Sequence, residues 1–520
     1  MKSFKTHMLN LIIPLFVFGA IGGSLTCIVV SFYKIAVSHV ISLSGKAYSF
    51  LGTNMKFMPV VLLLVLPVCV FLSLIYKKLP TLKGGGIPTS VSALRGIISI
   101  KWFVNLVGVF FLSLVSFFIG VPLGNEGPSV QMGTAVGKGV ASASFKKHRA
   151  WERYSMTGGA CAGFSAATGS TISAITFAIE EAHQRTSPMI VCVCSVSVIF
   201  AGITGEIFSR FFNLPLSLFE SYDFITLSLK DIWIPVVLGI SVGLFASVFL
   251  TLYRYISTFF NKTLEKIPLF IKIFAVFTVT LFLGIYFENC VSTGHHFMLS
   301  LFKGGVGIIP LLVILVLRSL LMLCANTNGI TGGIFVPLLV LGATVSAIFG
   351  EITMAFGLVT GDYFSLVIAL GICACIAAMM KMPITAVVFA VEVLGCHKNV
   401  LYVIIVCAVS YFISEIFSVQ SINDTVVEER IKALSSHSEC KTVDTFVTVE
   451  EGSFAVGKQI RDIFWPPNLL VLSVSHSQNS TQIRDVGKGL CHGDVLHIRV
   501  TTHNWDETQK EVSAIVENIK

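Results

Sequence analysis

The chain has 520 residues, of which 54% are hydrophobic and 12% charged, and its formal net charge is +8 at pH 7. Soluble domains carry roughly 25% charged residues, so the composition excludes an ordinary soluble protein, and we find no basic patch for nucleic acid. The apolar residues come in runs of about 20, the length that crosses the hydrocarbon core of a bilayer as a helix. We therefore predict an all-α polytopic membrane protein.

The predicted membrane helices begin with the apolar run at 9–33, which is too long for a cleaved signal peptide and is interpreted as a retained helix. Several of the later apolar segments are short or interrupted by glycine, a pattern typical of discontinuous helices around a transport site. These later segments lie near 58–76, 103–123, 189–208, 232–253, 268–287, 305–324, 335–350, 362–380, 384–395 and 400–418.

Two segments of the chain match each other without a gap. GACAGFSAATGSTISAITFAIE at 159–180 and GICACIAAMMKMPITAVVFAVE at 371–392 are offset by 212 residues (371 − 159 = 392 − 180). This pattern predicts an internally duplicated transporter with repeats at about 9–215 and 232–418. The residues alone leave open whether the repeats are parallel or inverted.

Three glycine-rich turns mark the predicted ion site: GGGIP (84–88), GNEGP (124–128) and GGIFVP (332–337). Each precedes a helical stretch, and the N-terminus of a helix offers free N–H groups and a partial positive charge. If the turns converge, they form a site for a small anion without any buried lysine or arginine. The motif residues are Gly84, Gly86, Ile87, Pro88, Gly124, Asn125, Gly127, Pro128, Gly333, Val336 and Pro337.

Glu126 stands inside one of these turns, after a long apolar run. A carboxylate favours the same helix N-termini as the anion, so a titratable Glu126 would couple proton binding to anion binding. The alternative is a glutamate that only caps its own helix. Glu180 and Glu181 end another apolar segment, and one of them could accept protons from the opposite side. The alternative there is a solvated residue at the membrane interface.

The composition becomes polar after about residue 435. Three short segments within 441–505 are typical of strands, since each is bounded by glycine, asparagine or proline. They predict a small α/β unit followed by a tail at 506–520. The sequence offers no nucleophile–base pair, cofactor loop or metal-ligand spacing, and therefore predicts a protein that is not an enzyme and needs no cofactor or metal.

The motifs GGGIP, GNEGPSVQMG, FAIEE and GGIFVPLLVLGA, in this order over about 10–435, resemble the CLC family of chloride channels and chloride/proton antiporters. The resemblance implies inverted repeats of tilted, discontinuous helices at 1–435 and a homodimer with one pore in each subunit. It implies that Glu126 is the gating and external proton glutamate and that Glu181 is the internal proton glutamate. The anion-binding positions that it implies are Gly85, Ile334, Phe335 and Asn423.

Three positions in or aligned with these motifs depart from the family pattern. Gly85 stands where the family has a serine, and Asn125 stands for an arginine. Asn423, aligned through SINDTVVEER (421–430), stands for the pore tyrosine. Because hydrogen bonds to charged groups contribute roughly 1.5–3 kcal/mol, the anion preference stays open. Asn125 resembles fluoride exporters, whereas Glu181 resembles chloride/proton exchangers.

The leading hypothesis is a multi-pass transporter that exchanges chloride or a similar small anion for protons. The membrane that we expect it to occupy is the cell membrane, namely the bacterial cytoplasmic membrane. The alternatives are a passive voltage- or pH-gated chloride channel, a fluoride/proton antiporter, and a membrane sensor that transports nothing. Residues 441–505 resemble the TrkA C-terminal (RCK-C) module. That resemblance implies a cytoplasmic regulatory domain with a small-molecule ligand, or else a passive dimerisation domain.

Overall fold

The computed structural model describes residues 13–144, 149–213, 215, 217–219, 222–435, 441–475, 489–502 and 505–518. Among these residues, ten helices are long and apolar enough to cross a membrane. The prediction of an all-α polytopic membrane protein is therefore confirmed. Parts of the predicted units lie outside the described residues: 1–12, 145–148, 214, 216, 220–221, 476–488, 503–504 and 519–520.

The first half of the chain alternates long apolar helices with short ones that start at glycine turns. The short helix α3 begins after Gly86 and carries Pro88 in its first turn, where the missing N–H of proline costs nothing. The helices are α1 (Ile13–Thr53), α2 (Met58–Lys78), α3 (Ile87–Leu94), α4 (Trp102–Ile119), α5 (Glu126–Ser144), α6 (Arg149–Thr168), α7 (Ile172–Phe177) and α8 (Pro188–Phe212).

The second half repeats this alternation and supplies the centre of the molecule. In the most apolar 18-residue stretch at α14, 89% is buried inside the protein. In the corresponding stretch at α2 only 22% is buried, and the remainder faces the surroundings of the protein. The helices are α9 (Trp233–Lys262), α10 (Leu269–Tyr286), α11 (His295–Leu301), α12 (Ile308–Thr327), α13 (Phe335–Ala355), α14 (Phe364–Met380), α15 (Pro383–Glu392), α16 (Val400–Ile416) and α17 (Ile422–Ser435).

The matched repeat segments have the same backbone course. Helices α6 and α14 end at Thr168 and Met380, which are 212 residues apart (380 − 168). Each is followed by a residue in the left-handed conformation, Gly169 with φ 76° and Lys381 with φ 60°. A non-glycine residue in this conformation is uncommon, so Lys381 keeps a turn whose geometry the first repeat builds with glycine.

The two repeats cap each other's helices. The carboxylate of Glu180 accepts the backbone N–H groups of Ile384 at 2.9 Å and Thr385 at 2.7 Å, at the start of α15. The carboxylate of Glu392, which ends α15, accepts the N–H of Ile172 at 2.9 Å, at the start of α7. The partners are again offset by 212 (392 − 180 = 384 − 172). Because each segment caps the start of the other, equivalent helices run antiparallel, as an inverted repeat requires.

The C-terminal unit is a three-stranded sheet with one helix, and the α/β prediction is confirmed. The strands are β1 (Lys441–Thr448), β2 (Leu469–Ser475) and β3 (Val495–Thr502), with β3 in the middle and both neighbours antiparallel to it. The helix α18 (Trp505–Val516) lies in the stretch predicted as a tail. It joins the unit because the carbonyl groups of Ile515 and Val516 accept backbone N–H groups from the segment after β1.

Candidate ion pathway

The three glycine-rich turns meet inside the protein. Gly124 and Gly333 exchange two backbone hydrogen bonds, each 2.6 Å long. Gly84 donates to the carbonyl of Gly329 at 3.0 Å and accepts from the N–H of Gly332 at 3.4 Å. The starts of α3, α5 and α13 therefore lie next to one another, so three helix N-termini with free N–H groups are brought together.

Glycine is required at two of these positions because the backbones touch. A Cβ atom on Gly127 would overlap the carbonyl oxygen of Gly85, and one on Gly86 would overlap the carbonyl oxygen of Gly127. Gly85 is different, because the nearest atoms to its Cβ would be 3.7 Å away, at ordinary contact distance. A serine would fit there, so the lost hydroxyl group is a change in chemistry and not a steric necessity.

The side chain of Glu126 is fully buried. Although Glu126 heads α5, its carboxylate reaches toward α13, where it interacts with the backbone N–H of Val336 as well as with its own backbone N–H. Neither carboxyl oxygen has a hydrogen-bond partner of standard geometry among the described residues. The carboxylate is thus directed at the start of α13, one of the helix N-termini predicted to form the anion site, but is not firmly bonded to it.

The structure separates the roles of the adjacent glutamates. They lie on a π-helical turn, Ala178–His183, a rare geometry that often marks functional sites. Glu180 faces outward and caps α15, so its charge is satisfied. Glu181 is 3% exposed, and within the described residues its Oε1 has no partner. The side chain of Asn423 hydrogen-bonds its carboxyl group, and Arg95 donates to its backbone carbonyl at 2.8 Å.

The other predicted anion-binding residues divide into two places. Ile334 and Phe335 are buried at the start of α13, where Phe335 packs its ring 5.1 Å from that of Phe164. Asn423, in the first turn of α17, is 2% exposed and lies beside Glu181, and its Oδ1 has no partner among the described residues. One N–H of its amide is therefore directed at the carboxyl group of Glu181.

Cations border the turns, which the sequence reasoning missed. A cavity of about 360 Å³ opens beside Gly85, and its lining includes the cations Lys83 and Arg430, the acidic Glu429 and the polar side chain of Asn326. Arg430 donates to the hydroxyl of Thr89, in α3, at 2.8 Å. Lys83 and Arg430 are 347 residues apart (430 − 83). The only sequence signal was that Lys83 directly precedes GGGIP.

A third cation, the half-buried Lys34, interacts electrostatically with Glu126. The ammonium group of Lys34 and the carboxylate of Glu126 attract each other electrostatically. Lys34 also donates to the carbonyl groups of Ala166 at 3.3 Å and Pro215 at 3.1 Å. Half-buried positive side chains therefore lie around the predicted backbone site.

Comparisons with known proteins agree with this geometry. A family model described as voltage gated chloride channel matches residues 68–415. The H(+)/Cl(-) exchange transporter ClcA of Salmonella arizonae is 26% identical over 382 residues, which cover 72% of this chain and 79% of that protein.

Solved structures share the fold. A slow cyanobacterial Cl-/H+ antiporter has a TM-score of 0.73 at 21% identity and covers 81% of this chain and 98% of its own. A CLC-type fluoride/proton antiporter has a TM-score of 0.63 at 18% identity, with coverage of 78% and 97%. The predicted inverted-repeat architecture is confirmed by these likenesses.

Proposed function

The chain belongs to the voltage gated chloride channel family, and on this premise we propose that it is a secondary active transporter that exchanges chloride, or a similar small anion, for protons. The observation that carries the proposal is the buried, loosely held carboxylate of Glu126 at the start of α13. The name of the relative in Salmonella arizonae, an H(+)/Cl(-) exchange transporter, supports it.

The exchange rests on competition for one set of donors. We assign the backbone N–H groups of Ile334 and Phe335, with the turns at 84–88 and 124–128, to the anion. Deprotonated Glu126 occupies the same place, because it is attracted by the same helix N-termini. Protonation removes the charge of Glu126 and with it this attraction, so the side chain leaves and the anion enters. Proton and anion binding are thereby coupled.

Glu181 is assigned to the proton path on the other side. Its buried carboxyl group has an unpartnered oxygen among the described residues, which suits a group that gains and loses protons. Asn423 hydrogen-bonds this carboxyl group, so we retain Asn423 as an anion ligand only through the second N–H of its amide. A passive channel has no need for a second buried acid, and Glu181 therefore favours exchange.

Fluoride is the second candidate for the anion. Asn125 beside the gating glutamate and Gly85 without a hydroxyl group both depart from the chloride pattern. A likeness to the fold of a CLC-type fluoride/proton antiporter is compatible with this reading, although at 18% identity it shows the fold alone. The proposed exchange mechanism is the same for both anions.

The test is proton movement driven only by an anion gradient. Liposomes holding the full chain receive a chloride, nitrate or fluoride gradient, with the voltage clamped by a potassium ionophore, while internal pH and anion content are recorded. We expect the anion to flow down its gradient and protons to move in the opposite direction. Anion flux without proton flux would show a passive channel. Coupled flux with fluoride alone would show a fluoride/proton antiporter. No flux with any of the three anions would favour a membrane sensor that transports nothing.

We further propose that the protein is a homodimer whose interface lies at the reciprocal caps. Ile172 and Ile384, the equivalent residues beside the caps, are 57% and 58% exposed. The capping glutamates Glu180 and Glu392 are only half-buried. Carboxylates are costly in contact with lipid, so a second copy covering this face explains the arrangement. Disulfide cross-linking of Ile172→Cys should trap a dimer, and a protein that stays monomeric contradicts the proposal.

The domain boundaries and location follow from the same premise. We propose a transport domain at 1–435 in the bacterial cytoplasmic membrane, joined to a cytoplasmic unit at 441–505 that also includes α18. The resemblance of this unit to the TrkA C-terminal module suggests a regulatory role with a small-molecule ligand. Thermal shifts of the purified protein with candidate nucleotides test for that ligand.

A further inference from the structure

The C-terminal unit packs against the membrane-spanning part through Phe464. The ring of Phe464 stacks on the imidazole of His183, with centroids 4.7 Å apart, and lies 4.3 Å from the ring of Tyr154. The guanidinium groups of Arg153 and Arg185 lie 4.9 and 4.8 Å from its centre. Phe464 thus fills a socket formed by the second turn of α6 and by the segment that follows Glu181.

Hydrogen bonds fix the same contact. The hydroxyl group of Ser187 donates to the carboxylate of Asp462 at 2.9 Å, and that of Tyr154 donates to the backbone carbonyl of Asp462. Arg153 donates to the carbonyl of Trp465 at 2.9 Å. Cation–π contacts and aromatic pairs both stabilise the packed arrangement. The contact therefore holds the segment 183–187 in one conformation.

This segment continues directly from Glu181. His183 closes the π-helical turn that carries Glu181, and its Nε2 is 2.9 Å from the hydroxyl oxygen of Thr157. Arg95 also donates to the carbonyl groups of Glu181 and Ala182, at 2.8 and 3.0 Å. The turn is therefore held both by Arg95 and, through the segment 183–187, by the C-terminal unit.

We propose that Phe464 and Asp462 are positioning residues for proton transfer, because they fix the backbone that places Glu181. The proposal rests on the proposed function. The carboxyl group of Glu181 has few bonds of its own, so its position depends on the turn that carries it. A misplacement of about 1 Å reduces a reaction step by up to about 100-fold. The contacts of Phe464 and Asp462 described above involve none of the three glycine-rich turns, so anion passage is spared.

The experiment compares proton and anion flux in liposomes for the full chain and its variants. Phe464→Ala removes the ring from the socket, and Phe464→Tyr keeps an aromatic ring in it. Phe446→Ala is the matched control, because Phe446 is a 59% exposed phenylalanine on β1 of the same unit. Arg153 is left intact because it also bonds the carbonyl of Leu94 in α3.

We expect Phe464→Ala to lower the number of protons moved per anion at least twofold and to shift the reversal potential of exchange toward that of the anion. Anion flux should stay within about twofold of wild type. Phe464→Tyr should restore the ratio, and Phe446→Ala should leave it unchanged. Hydrogen exchange at 183–187 should rise in Phe464→Ala alone.

Three results overturn the proposal. The first is a wild-type ratio of protons to anions in Phe464→Ala even though hydrogen exchange at 183–187 has risen. The second is hydrogen exchange at 183–187 that is unchanged in Phe464→Ala. The third is an equal loss of proton and anion flux, which indicates a general structural role. If the wild-type protein moves no protons, both the proposed function and this inference are wrong. If the wild-type protein couples protons to anions and the variants couple them equally well, only this inference is wrong.

Discussion

The two halves of the membrane domain have matching backbones but different chemistry at equivalent positions. Gly124 and Gly333 are equivalent and bond to each other, and the same offset of 209 residues relates Glu126 to Phe335 (333 − 124 = 335 − 126). In the matched helices, the offset of 212 places Val393 opposite Glu181 (393 − 181). The first half therefore holds both candidate proton carriers, while the second half offers backbone amides and an apolar wall at the same places.

This difference indicates that duplication fixed the scaffold and that later substitution assigned the chemistry. An anion site made from helix N-termini needs both halves, because the turns at 124–128 and 332–337 face each other. A proton path needs acids only along one route, so one half suffices. The following predictions test this division of roles, from the largest expected effect to the smallest.

Glu126→Gln should have the largest effect. The amide of glutamine does not ionise, so a glutamine neither competes as an anion nor carries a proton. Proton flux in liposomes should fall to the level of protein-free vesicles, and anion flux should lose its dependence on pH. Glu152→Gln, at an ion pair with Lys138 far along the chain from the turns, is a suitable control. A normal coupling ratio in Glu126→Gln would remove Glu126 from the mechanism.

Glu181→Val copies the second half into the first. Valine at 393 is 4% exposed in the equivalent place, so the substitution should fold. We expect proton flux to fall more than tenfold while anion flux stays within about threefold, because the anion-binding turns are untouched. Parallel recordings of both fluxes check this, and proton flux close to wild type would show that another group receives the protons.

Gly85→Ser restores a hydroxyl group beside the anion path. Because the position has room for a side chain and hydrogen bonds to charged groups contribute roughly 1.5–3 kcal/mol, we expect chloride to bind about tenfold or more tightly. Isothermal titration with chloride measures the change. Gly127→Ser is the contrasting variant, since its side chain would overlap Gly85, and it should fail to fold. Unchanged chloride affinity in Gly85→Ser would place the anion elsewhere.

Lys83→Met tests the charge that the first half adds beside the turns. Removing one partly screened positive charge should weaken apparent anion affinity by about threefold to tenfold, with a smaller effect at high salt. Lys78→Met, at an exposed lysine on the end of α2, is the matched control. If both variants behave alike at every salt concentration, the cavity beside Gly85 does not concentrate anions.

The reciprocal caps should give the smallest effect, and an equal one in both halves. Glu180→Ala and Glu392→Ala each remove the acceptor for a helix start, which costs about 1–2 kcal/mol. Thermal unfolding in detergent should show similar drops in Tm for the two variants. A large drop for one and none for the other would mean that the structural symmetry does not extend to the energetics.

Local signals in the sequence were sufficient to predict the architecture. The apolar runs, the gapless match of 159–180 with 371–392 and the three glycine turns depend only on length and spacing. For the same reason the sequence indicated where Glu126 would lie, because it is part of one of those turns. These features were visible without any knowledge of tertiary contacts.

Features that depend on tertiary packing could not be predicted. Glu180 and Glu181 are neighbours in sequence, and only the π-helical turn shows which of them is capped and which is buried. Asn423 aligns with an anion ligand, yet its amide bonds Glu181. Lys83 and Arg430 share a cavity although 347 residues separate them (430 − 83). The docking of Phe464 was invisible because nothing in its own segment indicates a partner.

The exchange of helix caps between Glu180 and Glu392 has a consequence for the origin of the chain. Neither half completes its own helix start, so an ancestral half-length polypeptide would have left one glutamate and one row of amides unsatisfied. Two copies of such a polypeptide, related by a two-fold axis, would have satisfied both needs at once. Gene fusion would then have made permanent a pairing that had first formed between separate molecules.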